Sequence, residues 1–141
     1  MTEPLLQGVN HVALASPDVD ATAAFYAEVF GLEITDVTEP GSYRNVLLFF
    51  PNGSFVQVLG AADGPAIVAP EAGPGTGRYH DGAPVDHFSL FAADVTALEA
   101  FRDRLVALGA TDGQITDIAG LVRNLGFKDP DGRNVDVTAY I

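Results

Sequence analysis

The sequence predicts an α+β fold built from two βαβββ modules, and three observations carry that reading. The chain repeats itself. Each copy opens with alternating residues and passes into a helical stripe. A stretch dense in Gly, Pro and Ala separates the copies. Displacing the chain by 76 residues lays HVALASPDVDATAAF over HFSLFAADVTALEAF, so that His11 falls on His87, Leu14 on Leu90, Asp18 on Asp94, Val19 on Val95 and Phe25 on Phe101. Further along, a displacement of 79 lays RNVLLFFPNGSFVQV over RNLGFKDPDGRNVDV: Arg44 meets Arg123, Asn45 meets Asn124, Gly53 meets Gly132 and Gln57 meets Asp136. A repeat of this kind marks a structural unit used twice. The organisation is a first module over 1–60, a linker over 61–83 and a second module over 84–141.

Within the first module, Val9–Leu14 alternates like a half-buried strand. Ser16 is placed as the N-cap of a helix and Pro17 in its first turn. Val19, Ala23, Tyr26 and Phe30 follow at helical spacing, and Gly31 is placed to end the helix in a left-handed cap. Three strand-like runs come next, Leu32–Thr38, Tyr43–Phe50 and Ser54–Leu59, the last two joined by the turn Pro51-Asn52-Gly53. The second module repeats the order. A strand spans Pro84–Phe91, and Asp94 caps a helix with the apolar stripe Leu98, Phe101, Leu105 and Leu108, ended by Gly109. Strands follow near Gln114–Ile118, Leu121–Phe127 and Arg133–Tyr140, with Asp129-Pro130-Asp131-Gly132 turning between the last two. The connection AADGPAIVAPEAGPGTGRYHDGA holds no sustained period and reads as a long loop, either a cover for a site or a passive tether. Tyr79 and His80 sit near its end.

Composition bounds the function. With 141 residues the chain has room for a sizeable core, and with no cysteine it has no disulfide, thiolate nucleophile or Cys–metal site. Any metal must therefore be held by imidazole, carboxylate, amide or water. A formal charge of −12 argues against nucleic acid and anionic membrane as partners. The first ten residues, MTEPLLQGVN, carry no basic n-region, and no apolar run approaches the ~20 residues of a membrane span. The expectation is a cytoplasmic protein with a small-molecule partner.

Alternation assigns side chains to faces. Val12 and Leu14 pack under the first helix, so His11 points the other way; Phe88 and Leu90 pack under the second, so His87 does likewise. Val56 and Val58 leave Gln57 on the face away from the helix, and Val135, Val137 and Ala139 leave Asn134, Asp136, Thr138 and Tyr140 there. A single strand histidine is most often a satisfied core or surface residue. Two at equivalent positions, with an amide and a carboxylate at the paired position, make a constellation of the size and chemistry of a divalent-metal site. Ser89 and Asn134 share that face as candidate substrate contacts. Arg44 and Arg123 are the other repeated polar pair. Each is either a fork for a substrate carboxylate or phosphate or an ordinary strand-end arginine paired with an acid.

With paired modules, HVAL and FGLEI in one half, and DHFSL and DPDGRNVDV in the other, the chain resembles the vicinal oxygen chelate superfamily, which includes glyoxalase I, methylmalonyl-CoA epimerase, extradiol dioxygenases, fosfomycin-resistance enzymes and bleomycin-binding proteins. The resemblance covers the chain outside the linker. It implies a curled eight-stranded mixed sheet, or cup, with the helices outside, and a homodimer. It also implies one divalent ion (Zn, Ni, Co, Mn or Fe) held by His11, Gln57, His87 and Asp136, with Asp136 doubling as catalytic base. His–Gln–His–acid most resembles the epimerase and glyoxalase sets, whose chemistry is isomerisation or lyase chemistry through a metal-stabilised oxyanion. A triad of His11, His87 and Asp136 is the alternative, as in the ring-cleaving dioxygenases, and a metal-free antibiotic-sequestering protein is a third reading. The final acid is an Asp where the family usually has Glu, one methylene shorter. Glu28 and Glu33, near the first helix, read as solvated.

Overall fold

The structure is a computed structural model, and it describes residue 5, residues 8–60 and residues 87–141. The linker, Tyr79, His80 and the expected strand start at Pro84 lie outside the described residues. The chain divides into two compact units, Met1–Val68 and Ala69–Ile141. The order of elements is β1 (His11–Ala15), α1 (Val19–Phe30), β2 (Thr35–Asp36), β3 (Arg44–Phe49) and β4 (Phe55–Gly60) in the first unit. In the second it is β5 (Phe88–Phe91), α2 (Val95–Ala107), β6 (Ile115–Ile118), β7 (Val122–Lys128) and β8 (Asn134–Tyr140). Each unit is βαβββ and carries one four-stranded mixed sheet, in the order β1-β4-β3-β2 and β5-β8-β7-β6. The first and last strands of each unit are parallel neighbours at its centre and edge, and the remaining pairs are antiparallel.

The core of each unit lies between its helix and one face of its sheet, where apolar burial supplies the main driving force. In the first, Val19, Ala23, Tyr26 and Val29 of α1 are buried with Leu14, Val46, Leu48, Val56 and Val58. In the second, Leu98 and Leu105 of α2 are buried with Leu125, Phe127, Val135, Val137 and Ala139. The predicted stripe is right at Leu98 and Leu105, but Leu108 stands at the helix C-cap and is exposed, so it contributes little to the core.

Helix starts follow one device. Asp18 and Asp94, equivalent in the repeat, accept hydrogen bonds from the backbone N–H groups of Ala21 and Ala97, which have no partner within the helix. Asp18 replaces the expected Ser16 as the cap of α1, and Pro17 precedes the helix. Ser16 is instead fully buried: its hydroxyl accepts from the Asp18 N–H and meets the Thr22 hydroxyl at 3.1 Å. Gly31 ends α1 at φ 67°, the left-handed cap expected of it, with its N–H on the Ala27 carbonyl.

One sequence-predicted strand is cut to two residues, and the first starts two residues late. The run Leu32–Thr38 yields only Thr35–Asp36, because side chains take over the backbone beyond it. Asp36 accepts from the Thr38 N–H, and the Thr38 hydroxyl bonds both the N–H and the carbonyl of Asn45. The predicted first strand begins at His11 rather than Val9, which is exposed. The two predicted turns form. Gly53 N–H reaches the Phe50 carbonyl at φ 87°, and Gly132 N–H reaches the Asp129 carbonyl at φ 80°.

Candidate functional site

The second unit builds a polar face around Asp136. In β8, Val135, Val137 and Ala139 turn to the helix, so Asn134, Asp136 and Thr138 turn to the opposite face. Ser89 of β5 pairs with Asp136 across the parallel ladder, and Gly126 of β7 pairs with it on the other side. The equivalent position in the first unit, opposite Gln57, is Leu47. His87 immediately precedes β5, and its Nε2 lies 3.7 Å from Asp136 Oδ2. The structure thus brings together one predicted histidine and the predicted acid.

Asp136 is only 5% exposed. Its Oδ2 accepts from Asn124 Nδ2 at 2.8 Å, and the same amide donates to Thr138 Oγ1 at 2.9 Å. Thr138 Oγ1 lies 2.9 Å from Ser89 Oγ. The other carboxylate oxygen, Oδ1, is buried with no hydrogen-bond partner among the described residues. Buried polar atoms in native proteins are nearly always paired. Leaving an acceptor unpaired costs about 1–3 kcal/mol, and more when it is charged. A carboxylate oxygen placed this way, with the His87 imidazole 3.7 Å from its partner oxygen, has the chemistry a divalent cation accepts. Among the described residues, no group of three or more His, Cys, Asp or Glu is gathered closely enough to hold a metal ion.

The first unit places its two predicted residues on one face as well. Gln57 of β4 pairs with Ala13 of β1 and Leu47 of β3, and its Nε2 donates to Asn45 Oδ1 at 2.8 Å. His11 pairs with Phe55 across the parallel ladder. The rings stack at 4.5 Å with 4° between their planes. His11 Nδ1 is 2.9 Å from Asn10 Oδ1. A bond from Nδ1–H to that amide oxygen leaves the Nε2 lone pair free to bind.

Arg44 and Arg123 lie elsewhere. Arg44 alternates with the buried Val46 and Leu48, and Arg123 with Leu125 and Phe127, so both belong to the helix face of their sheets, away from Gln57 and Asp136. Arg44 bonds Asp20 in the first turn of α1 at 2.9 Å, and also bonds Asp36 and the Thr38 hydroxyl. The Thr38 backbone N–H, the Thr38 hydroxyl and Arg44, in that order, hold the Asp36 carboxyl down to about 2. Arg44 is thereby committed to an ion-pair cluster. Of the other candidates, Ser89 is exposed on the Asp136 face and Asn134 is buried at the start of β8. Glu28 and Glu33 are exposed, as expected.

The turn before β8 is braced from within. The Asp129 side chain is fully buried and accepts from the N–H groups of Asp131 and Arg133 and from Arg133 Nη1. Burial works against the charge on Arg133, but Asp129 and Asp131 outweigh it and raise the guanidinium above its ordinary value. This brace sets the start of β8, and Asp136 follows three residues beyond Arg133.

Sequence reasoning gave no role to Asn45, Asn124 or Phe55. The two asparagines were visible as a repeated pair. Their contacts run diagonally across a ladder, which a linear pattern does not display.

A sequence model of the Glyoxalase/Bleomycin resistance protein/Dioxygenase superfamily matches residues 8–137. The chain belongs to that superfamily. A lactoylglutathione lyase of Haemophilus influenzae is 27% identical over 136 residues, covering 91% of this chain and 89% of its own. Among solved structures, a glyoxylase/bleomycin resistance protein/dioxygenase domain from Frankia sp. superposes with a TM-score of 0.72 at 21% identity, over 96% of this chain and 99% of that one. A mutant of the fosfomycin resistance protein FosX of Listeria monocytogenes, complexed with Mn(II) and 1S,2S-dihydroxypropylphosphonic acid, superposes with a TM-score of 0.65 at 16% identity, over 97% of this chain and 95% of that one. These structural likenesses speak to the fold, and the superfamily's range of names leaves the reaction to be argued from the residues.

Proposed function

We propose that this superfamily member is a divalent-metal-dependent enzyme acting on a small oxygenated molecule, with isomerase or lyase chemistry of the glyoxalase kind. The observation that carries the reading is Asp136: a carboxylate buried within its unit, one oxygen held by Asn124, the other without a partner among the described residues, and an imidazole 3.7 Å away. The proposed ligands are His11, Gln57, His87 and Asp136. The lactoylglutathione lyase relative supports the choice of lyase chemistry, and the Mn(II)-bound FosX neighbour supports the choice of a divalent ion.

The bound ion would act as a Lewis acid for an oxygen that gains negative charge during the reaction. The residues supply the rest. In the strands of the two sheets, Asp136 is the only acid that alternation sets on the face away from the helix among the described residues. It is therefore the proposed acceptor of a proton from carbon beside a carbonyl, as well as a ligand. Asn124 keeps that carboxylate in one orientation, and the Ser89 and Thr138 hydroxyls beside it are placed to bond a substrate oxygen.

The test is direct. A lactoyl thioester is the isomer of the hemithioacetal that methylglyoxal forms with glutathione, reached by moving the carbon-bound proton from the hydroxyl-bearing carbon to its carbonyl neighbour and the hydroxyl proton to the former carbonyl oxygen. The full chain, supplied in turn with Zn(II), Ni(II), Co(II) and Mn(II), is expected to raise thioester absorbance from that hemithioacetal, with loss of the signal in Asp136→Ala. Ring cleavage of a catechol with iron(II) and oxygen, and no thioester with any ion, would contradict the isomerase reading in favour of the dioxygenase one.

A further inference from the structure

The face of the second unit that carries Asp136 changes character along its strands. Ser89, Asp136 and Gly126 pair in one row across the sheet, and Phe91, Thr138, Asn124 and Thr116 in the next. Tyr140, Val122 and Ile118 make the third. The first two rows hold the carboxylate, the Asn124 amide and the hydroxyls, whereas Phe91 and the third row are rings and branched chains. Phe91 stacks on Tyr140 with centroids 5.7 Å apart and 27° between the planes. The two are nonetheless 76% and 67% exposed, and Ile118 is 48% exposed.

The module does not require those rings. The 76-residue displacement lays Phe91 on Ala15, and the 79-residue displacement lays Tyr140 on Ala61. Ala15 ends β1 in the same place without a ring. A cluster of large apolar side chains left in water beside a polar site marks a binding surface. Its size points to a small molecule. Two aromatic side chains and an isoleucine offer on the order of 400 Å², about half of the ~800 Å² that each partner contributes to a stable protein interface. Leu121 and Ile141 are exposed nearby, but alternation sets them toward the helix side.

Charge narrows the ligand. Of the strand residues that alternation sets on this face, Asp136 and Lys128 are charged. Lys128 lies at the far end, where it pairs with Asn134 and bonds the Gly132 carbonyl. The end that holds the rings is uncharged, which suits a neutral apolar group and not an anionic tail. Phe91 stands two residues beyond Ser89, about 7 Å along the strand, and Tyr140 four beyond Asp136, about 13 Å.

We propose that Phe91 and Tyr140 are specificity-determining residues that bind a neutral aromatic or branched alkyl group of a substrate whose oxygens lie against Ser89, Thr138 and Asp136. This deepens the reading of a small oxygenated substrate given above and rests on it for the oxygen end of the molecule.

Benzohydroxamate and acetohydroxamate share one oxygen pair and differ by a ring against a methyl group. Both are titrated into the full chain, metal-free by saturation-transfer NMR and loaded with Mn(II) by calorimetry. Benzohydroxamate is expected to bind about 10-fold tighter in each form, because a ring buries far more apolar area than a methyl group. Phe91→Ser and Tyr140→Ser stand at exposed positions, where the fold should tolerate them. Each is expected to bring the two ligands to within about threefold and to leave acetohydroxamate unchanged. A ring preference that is absent, or that survives both substitutions, would overturn the proposal, and Mn(II) binding in the same titrations would leave the metal reading standing. A fall in solution mass in both variants, with the ring preference intact, would give the ring pair to a second copy of the chain and overturn the proposal as well. No Mn(II) binding, with a ring preference in the metal-free chain that both variants lose, would overturn the metal reading alone and uphold the ring site.

Discussion

Asp129→Ala is expected to destabilise the chain by about 3–5 kcal/mol, the range for removing one partner from a buried ion pair. The Asp129 side chain is fully buried, and its loss strands two backbone N–H groups and part of the Arg133 guanidinium. Asp131 stays on Arg133 at 2.8 Å, so the lower half of the range is the better expectation. Against a total of about 5–15 kcal/mol for a typical domain, this is a large share. It corresponds to a fall in Tm of roughly 10 °C or more. Asp129→Asn keeps one acceptor for the turn N–H groups and should restore part of the loss. Urea unfolding followed by circular dichroism reads both variants. An Asp129→Ala chain within 1 kcal/mol of wild type, on the order of a surface pair's worth, would mean that the turn is not braced as described.

Gly60→Ala is expected to be nearly as damaging for a different reason. A Cβ at Gly60 would stand 2.2 Å from the Ser16 carbonyl oxygen and 3.0 Å from Val19 Cγ2. The oxygen belongs to backbone that is fixed in place: the Ser16 N–H bonds the Leu59 carbonyl, and the Ser16 side chain is buried against Thr22. Overpacking typically costs 1–3 kcal/mol, and a clash with backbone belongs at about 3 kcal/mol, because the neighbour has no rotamer to change. Gly53→Ala is the control. Nothing lies within 4 Å of its new Cβ, and only the left-handed φ of 87° opposes it, worth about 1–2 kcal/mol. Equal losses in the two variants would contradict the steric account of the β1–β4 junction.

Much of this architecture is legible in the chain because it is written twice. The 76-residue displacement that lays His11 on His87 also lays Asp18 on Asp94; Asp94 caps its helix as expected, and Asp18 caps the other in place of Ser16. Strand alternation assigns Gln57 and Asp136 to their faces because a period of two leaves no choice once Val56 and Val135 are core. The failures have local causes. Ser16 looked like a cap, yet in Ser16-Pro17-Asp18 the carboxylate two residues later is better placed and the serine turns inward. β2 is short because Asp36 and Thr38 bond the backbone that a longer ladder would have used. Arg44 and Arg123 repeat as faithfully as the histidines, but alternation sets them with the core residues on the helix face, and Arg44 joins an ion-pair cluster there. The asparagine contacts and the unpartnered Asp136 Oδ1 escape a linear reading altogether, since they exist only once neighbouring strands are in register.

The central claim is that Asp136 and His87 belong to a divalent-metal site. The most direct measurement is metal content. The full chain is stripped with a chelator, dialysed against Mn(II) or Co(II), freed of excess ion and analysed for retained metal, beside His11→Ala, His87→Ala and Asp136→Ala. The account predicts one equivalent retained per wild-type chain and a loss of most of it in each variant. No retention by the wild-type chain, or retention equal to wild type in His87→Ala and Asp136→Ala, would contradict it.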